Sequence, residues 1–142
     1  MPLINFGSVL NFAEEIENQG EAFFAAAAGN PGCEPHRSLL EQFAANAGKH
    51  RKIVQRTRRE NVTEMILEGI EGFTRAPYQE TADGADTMSA GDVLAAARRL
   101  EERCLNYYQD AAVKLKALSE VARSLKQLAK KHKAQLNQLG EL

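Results

Sequence analysis

The sequence predicts an all-α protein of four long helices, and three observations carry that prediction. Apolar residues recur at intervals of three and four in four separate stretches, the spacing of one helical face. Strong breakers stand between the stretches: Gly29-Asn30-Pro31-Gly32 after the first, and a Thr-, Asp-, Gly- and Pro-rich segment from Phe73 to Met88 before the third. No stretch has the alternating pattern of a strand.

The first helix is expected from about Ser8 to Ala28, with Val9, Ala13, Ile16, Gly20, Phe23 and Ala27 on one face and Leu10 and Phe24 beside them. Gly29 is expected to close it in the left-handed conformation, and Pro31 cannot continue it. The second helix starts near Pro35 or Ser38 and carries Leu39, Leu40, Phe43, Ala47, His50 and Val54. Its later turns hold Lys49, Arg51, Lys52, Arg56, Arg58 and Arg59; cations there complement the helix dipole and solvate the outer face, so they are not read as a nucleic-acid surface. Asn61-Val62-Thr63-Glu64 has the form of a capping box and predicts a short helix from Val62 to about Glu71. A second such box, Ser89-Ala90-Gly91-Asp92, opens the third helix, with Val93, Leu94, Ala97, Leu100, Cys104, Tyr107, Tyr108, Ala111 and Leu115 at helical spacing. Ser119 is the expected N-cap of the fourth, whose apolar positions are Ala122, Leu125, Leu128, Ala129, Leu136 and Leu139.

A length of 142 residues suits a single domain, residues 1–142, with a real core. With 18 basic against 19 acidic side chains, no overall field recruits nucleic acid or an anionic membrane. The N-terminal residues lack the basic leader of a signal peptide, and the longest apolar run, Ala22 to Ala28, is too short to span a bilayer. Two cysteines, Cys33 and Cys104, in very different contexts and behind no leader fit a reducing cytoplasm. The chain has no Cys-x-x-Cys, which excludes a built-in rubredoxin-type iron centre or zinc ribbon.

Short links join the first helix to the second and the third to the fourth. Roughly 28 residues separate the second and third, enough to travel a helix of about 35 Å, so those two can run parallel. Two helical hairpins with one long crossover describe a ferritin-like four-helix bundle. The hairpins also repeat one another. Ile16-Glu17 through Phe23-Phe24 lies over Leu100-Glu101 through Tyr107-Tyr108, and Phe43, Ala47, Lys49 and His50 lie over Leu125, Ala129, Lys131 and His132.

Glu17, His50, Glu101 and His132 each interrupt an apolar stripe and so face inward. A buried carboxylate without a partner costs several kcal/mol, so each must be paired, metal-bound or protonated. Two carboxylates and two imidazoles can hold one zinc ion, or iron or manganese with water completing the shell. The same four residues can instead form two metal-free Glu–His pairs, each closed by a charge-assisted hydrogen bond. Cys104, Tyr107 and Tyr108 are read as core, and Cys33 and His36 as part of a turn.

On the two Glu-to-aromatic segments, the later histidines and the crossover, nearly the whole chain resembles the rubrerythrin branch of the ferritin-like superfamily. The resemblance implies that Glu17, His50, Glu101 and His132 occupy four of six ligand positions of a di-iron site, one iron-bridging Glu-x-x-His lying on the second helix of each hairpin. Ala47 and Ala129 stand where those two bridging carboxylates would be, and Cys104 stands where rubrerythrins carry a further redox-mobile Glu. Three functions follow as expectations: a protein with a degenerate inter-helix site for iron or zinc; a non-catalytic scaffold or partner-binding module with buried Glu–His pairs; and a divergent di-iron oxidoreductase acting on peroxide or oxygen. The resemblance further implies a homodimer and, for the oxidoreductase, an external electron donor. Neither haem nor nucleotide is expected.

Overall fold

The computed structural model describes Leu3 and residues 5–61 and 70–142. These residues form four long helices and no strand: α1 Phe6–Ala28, α2 Arg37–Glu60, α3 Ala90–Lys114 and α4 Ser119–Gly140. The short helix expected from Val62 lies outside the described residues up to residue 69, and Ile70 and Glu71 are not helical. No helix among the described residues is long and apolar enough to cross a membrane.

Local chemistry sets the helix ends. The Asn5 side chain accepts a hydrogen bond from the Ser8 amide at 2.8 Å while Ser8 Oγ accepts from the Asn5 amide at 3.1 Å, a capping box that starts α1 two residues earlier than its apolar pattern indicates. Ser89 caps α3 as expected, accepting from Asp92 N. Ser119 does not cap α4; Leu118 holds that position and makes no side-chain bond. Gly29 is also not left-handed, with φ −82°. The turn after α1 is instead fixed by Asn30, whose Oδ1 accepts from Gly32 N and whose Nδ2 donates to the carbonyls of Ala85 and Met88. A short 3-10 stretch, Pro31–His36, then leads into α2 and buries Cys33.

Two apolar clusters establish the helix directions. One gathers the start of α1 from Phe6 to Ile16, Val54 late in α2, the second half of α3 from Cys104, and α4 up to Ala129. The other gathers Phe23 to Ala28, Leu40 and Phe43, Val93 to Leu100, and Leu139. Hence α1 and α4 run one way, α2 and α3 the other, and the crossover must travel the length of the molecule. It does so along α1 and α3. Leu3 N donates to Phe73 O at one end, Phe73 stacks on Tyr107, Gln19 donates to Glu80 O midway, and Asn30 takes Ala85 and Met88 at the far end. Gly84, at φ +82°, makes the last turn with a backbone only glycine adopts freely, its carbonyl accepting from Thr87 and Met88.

The basic end of α2 proves half structural. Arg51 bonds Glu21 at 2.6 Å and Arg58 stands in ion-pair contact with Glu14 at 2.5 Å, so acids of α1 and bases of α2 match in inverse order, as antiparallel neighbours require.

Asn30 is the buried tie between the first hairpin turn and the end of the crossover. Asn30→Ala strands two carbonyls and is expected to lower the unfolding free energy by about 2–3 kcal/mol in urea titration. A loss below about 0.5 kcal/mol would show that this tie does not hold the crossover.

Candidate metal centre

Each helix contributes one Glu or His at the level between the two apolar clusters, Glu17 from α1, His50 from α2, Glu101 from α3 and His132 from α4, with Arg103 and Gln135 buried beside them. None of the four is more than 4 % exposed. The structure thus brings all four sequence-predicted residues into one buried layer. Their helical registers do this work, since each stands within an otherwise apolar stripe at the midpoint of its helix.

The contacts within the layer are not symmetric. His132 Nδ1 lies 2.5 Å from Glu101 Oε2, and His132 Nε2 lies 2.9 Å from Glu17 Oε2. One imidazole therefore links the two carboxylates, and with both carboxylates ionised each ring nitrogen carries a proton to donate. Glu17 Oε2 also accepts from the Tyr108 hydroxyl at 2.6 Å. His50 is left with little: its Nδ1 sits 3.4 Å from Glu17 Oε1 and has no hydrogen-bond partner. At that length it makes a contact, not a formed bond.

Two independent Glu–His pairs, one expectation from the repeat, are therefore not what forms. Glu101–His132 is a close pair within its hairpin, but Glu17 turns across to His132 instead of pairing with His50. The asymmetry has a visible source. Tyr108 occupies the position that Phe24 holds in the first hairpin, and only the tyrosine carries a hydroxyl to draw a carboxylate across the layer. The ring of Tyr108 also stacks on His132, with centroids 5.5 Å apart and planes 20° apart. Sequence reasoning placed Tyr108 in the core and missed this bond. The Phe24/Tyr108 difference between the repeats was the available signal.

The electrostatics follow from burial and proximity. Burial alone pushes the Glu17 carboxyl up, but the His132 charge and the hydrogen bonds it receives outweigh burial and hold it well below the usual carboxylate range. Burial opposes the charged form of His132 too; the Glu17 and Glu101 carboxylates around the ring prevail and raise its pKa well above the ordinary value. The Tyr108 hydroxyl is held protonated by burial and by Glu17. Burial also pushes the Cys104 thiol up to about 11, leaving an inert core group at neutral pH.

Three of the four residues can converge on an ion. Glu17, His50 and His132 each offer a ligand atom, all within 4.8 Å of one another. Glu101 does not join them; it holds the other nitrogen of the His132 ring. Around a zinc ion with ligands at about 2.1 Å, tetrahedral ligand atoms stand about 3.4 Å apart; Glu17 Oε1 lies 3.4 Å from His50 and Glu17 Oε2 2.9 Å from His132, at and below that spacing. A small enclosed cavity of about 10 Å³ lies beside them, bounded by Gly20, Ala47, His50, Glu101 and His132 among others. It has room for about one water or one ion. The partnerless His50 Nδ1, the donor set and this space together fit a divalent cation.

No protein-family model matches the sequence, and comparison with curated proteins and with solved structures returns no match.

The metal-free layer carries its own pH signature. Glu17 is lowered below its ordinary 4.5, so its stabilisation is complete above that pH and is lost as pH falls toward its folded value. His132 is raised above its ordinary 6.5, so its stabilisation is complete below that pH and is lost as pH rises through its folded value. The unfolding free energy of metal-free wild type, minus that of His132→Gln, should therefore shrink as pH climbs above 6.5. A difference that stays flat to about pH 10 would contradict a charged His132.

Proposed function

We propose that this chain is a ferritin-like, rubrerythrin-related helical protein whose inter-helix site holds a single divalent ion, iron or zinc. The observation that carries the reading is His50: a buried imidazole whose inward nitrogen has no protein partner, beside a carboxylate, a second imidazole and an ion-sized space. Leaving such a nitrogen unsatisfied costs about 1–3 kcal/mol, and a cation would satisfy it.

Glu17, His50 and His132 would hold the ion, a two-imidazole, one-carboxylate set that suits zinc or ferrous iron. When bound, the ion supplies a concentrated positive charge, and in the case of iron a redox couple, inside a layer shut off from water. Glu101 accepts from His132 Nδ1, which fixes the tautomer and turns Nε2 toward Glu17. Tyr108 fixes Glu17 Oε2. To bind an ion, His132 Nε2 would have to give up its proton, so the proton and the ion would be alternative occupants of one position.

The two-iron reading finds less support in these residues. Ala47 and Ala129 provide no bridging oxygen, and the space beside the ligands suits one ion. A metal-free scaffold is the second reading, and a specific observation favours it: the run Tyr108–Glu17–His132–Glu101 is already closed by hydrogen bonds without an ion. Metal titration separates the two.

Anaerobic loading with zinc or iron is expected to give close to one ion per chain by elemental analysis. Zinc affinity should rise about tenfold per pH unit between roughly pH 6 and pH 8, as one proton is displaced. His50→Ala should remove tight binding, and Glu101→Gln should weaken it by about 10- to 100-fold through the His132 ring. Two irons per chain would restore the di-iron reading, and no binding tighter than about 1 μM would leave the layer as a structural element.

A further inference from the structure

α3 and α4 leave an open groove of about 480 Å³ along their outer seam, sharing no residue with the metal layer or the small cavity beside it. Ala112 and Ala129, both buried, form its floor. Each ends at a methyl group, so the seam is recessed where a larger side chain would fill it. Leu105, half-buried against the core, stands toward one end of the α3 wall, and Val113 stands at the other. Val113 is 65 % exposed, the most open large apolar side chain among the described residues. Apolar surface gathered in a concave site of this size is the ordinary lining of a small-molecule site.

The α4 wall is cationic. Lys126, Lys130 and Lys133 follow one another at intervals of four and three, along one face of the helix. All three are exposed, and among the described residues none is paired with an acid. No acid lines the groove, and its one neutral polar residue is Gln109. A lysine lays its alkyl stem on apolar surface and keeps its ammonium in water. The groove therefore joins an apolar bed to a positive edge, and the matching ligand carries an alkyl chain with one anionic head.

We propose that this groove binds a single-chain anionic amphiphile, a medium-chain fatty carboxylate. From Leu105 to Val113 the helix rises about 12 Å, room for an extended chain of about ten carbons. The carboxylate meets the lysine edge, and the chain lies on the alanine floor. A second copy of this chain on the same face would set three lysines against three. A partner protein covers about 800 Å² of surface, whereas one turn away the faces are already polar, with Glu102, Asn106 and Asp110 on α3 and Arg123 and Gln127 on α4 all exposed. A bilayer takes apolar groups that project into it, and here all but Val113 are recessed. The groove uses none of the ion's ligands, so it stands or falls apart from the single-ion reading.

The experiment is a calorimetric titration of metal-free protein with monomeric decanoate, the Val113 methyl resonances being followed in parallel by NMR. One saturable site with a Kd of about 0.1 mM is expected, and the Val113 methyls should shift with the same Kd. Decyltrimethylammonium has the chain with the opposite charge, and acetate the charge without the chain; each should bind at least about tenfold more weakly. The triple variant Lys126→Gln, Lys130→Gln, Lys133→Gln removes exposed charges and leaves the core untouched. It should weaken decanoate at least about tenfold and leave decyltrimethylammonium binding no weaker. No saturable decanoate binding by the wild-type protein up to about 5 mM would overturn the proposal, even if phosphatidylglycerol vesicles bound. Equal binding of decyltrimethylammonium, undiminished decanoate binding by the triple variant, or Val113 methyls unmoved while decanoate binds would overturn it as well. So would a dimer in sedimentation equilibrium that Val113→Asp dissociates, since a second copy would then occupy this face.

Discussion

The imidazole of His132, held between the carboxylates of Glu17 and Glu101, is the contact on which the middle of the molecule depends. It joins the two hairpins through the layer where apolar contact is interrupted. Without a shared proton donor, two carboxylates within reach of one ring would repel each other in a medium that screens little. The charged ring turns that repulsion into two charge-assisted hydrogen bonds. The cost is a positive charge in a dry interior, and the surrounding acids offset it.

Several features look different once this constraint is recognised. Glu17 cannot serve His50 fully, because Tyr108 and His132 both hold its Oε2. His50 consequently keeps a free nitrogen at the border of an ion-sized space. The near-symmetry of the two hairpins is thus broken where Tyr108 stands in place of Phe24, and His50 is left without a close partner. Coordination would replace the His132 Nε2 proton while leaving its bond to Glu101 in place. Arg103 lies buried beside the layer and is tied to the crossover through the Tyr78 carbonyl.

Much of the fold could be read from periodicity alone, because each helix buries one face and the faces carry their own spacing. Val9 through Ala27 and Val93 through Leu115 illustrate this, with nearly every apolar position in the core. The four polar residues of the layer were legible for the same reason, as interruptions in those stripes. Helix ends were less so. Asn5 starts α1 through a reciprocal bond with Ser8, and Asn30 governs the first turn through carbonyls more than fifty residues away. Such distant partners leave no trace in local sequence. Who bonds whom within the layer was hidden as well, since helix register places a side chain on a face but does not choose between partners at similar distance. Arg103 was missed because an arginine beside an exposed Glu102 reads as surface; only the fold of the crossover over it, through Tyr78, makes it buried.

The protonation state of one ring tests the central claim most directly. Long-range ¹H–¹⁵N NMR of the His132 imidazole in metal-free protein at about pH 7.5 should show both nitrogens protonated, because each faces a carboxylate oxygen. Addition of one equivalent of zinc should remove the Nε2 proton and keep that on Nδ1. A neutral His132 ring before zinc, or one whose two protons persist unchanged after it, would contradict both the shared-proton layer and the single-ion site built on it.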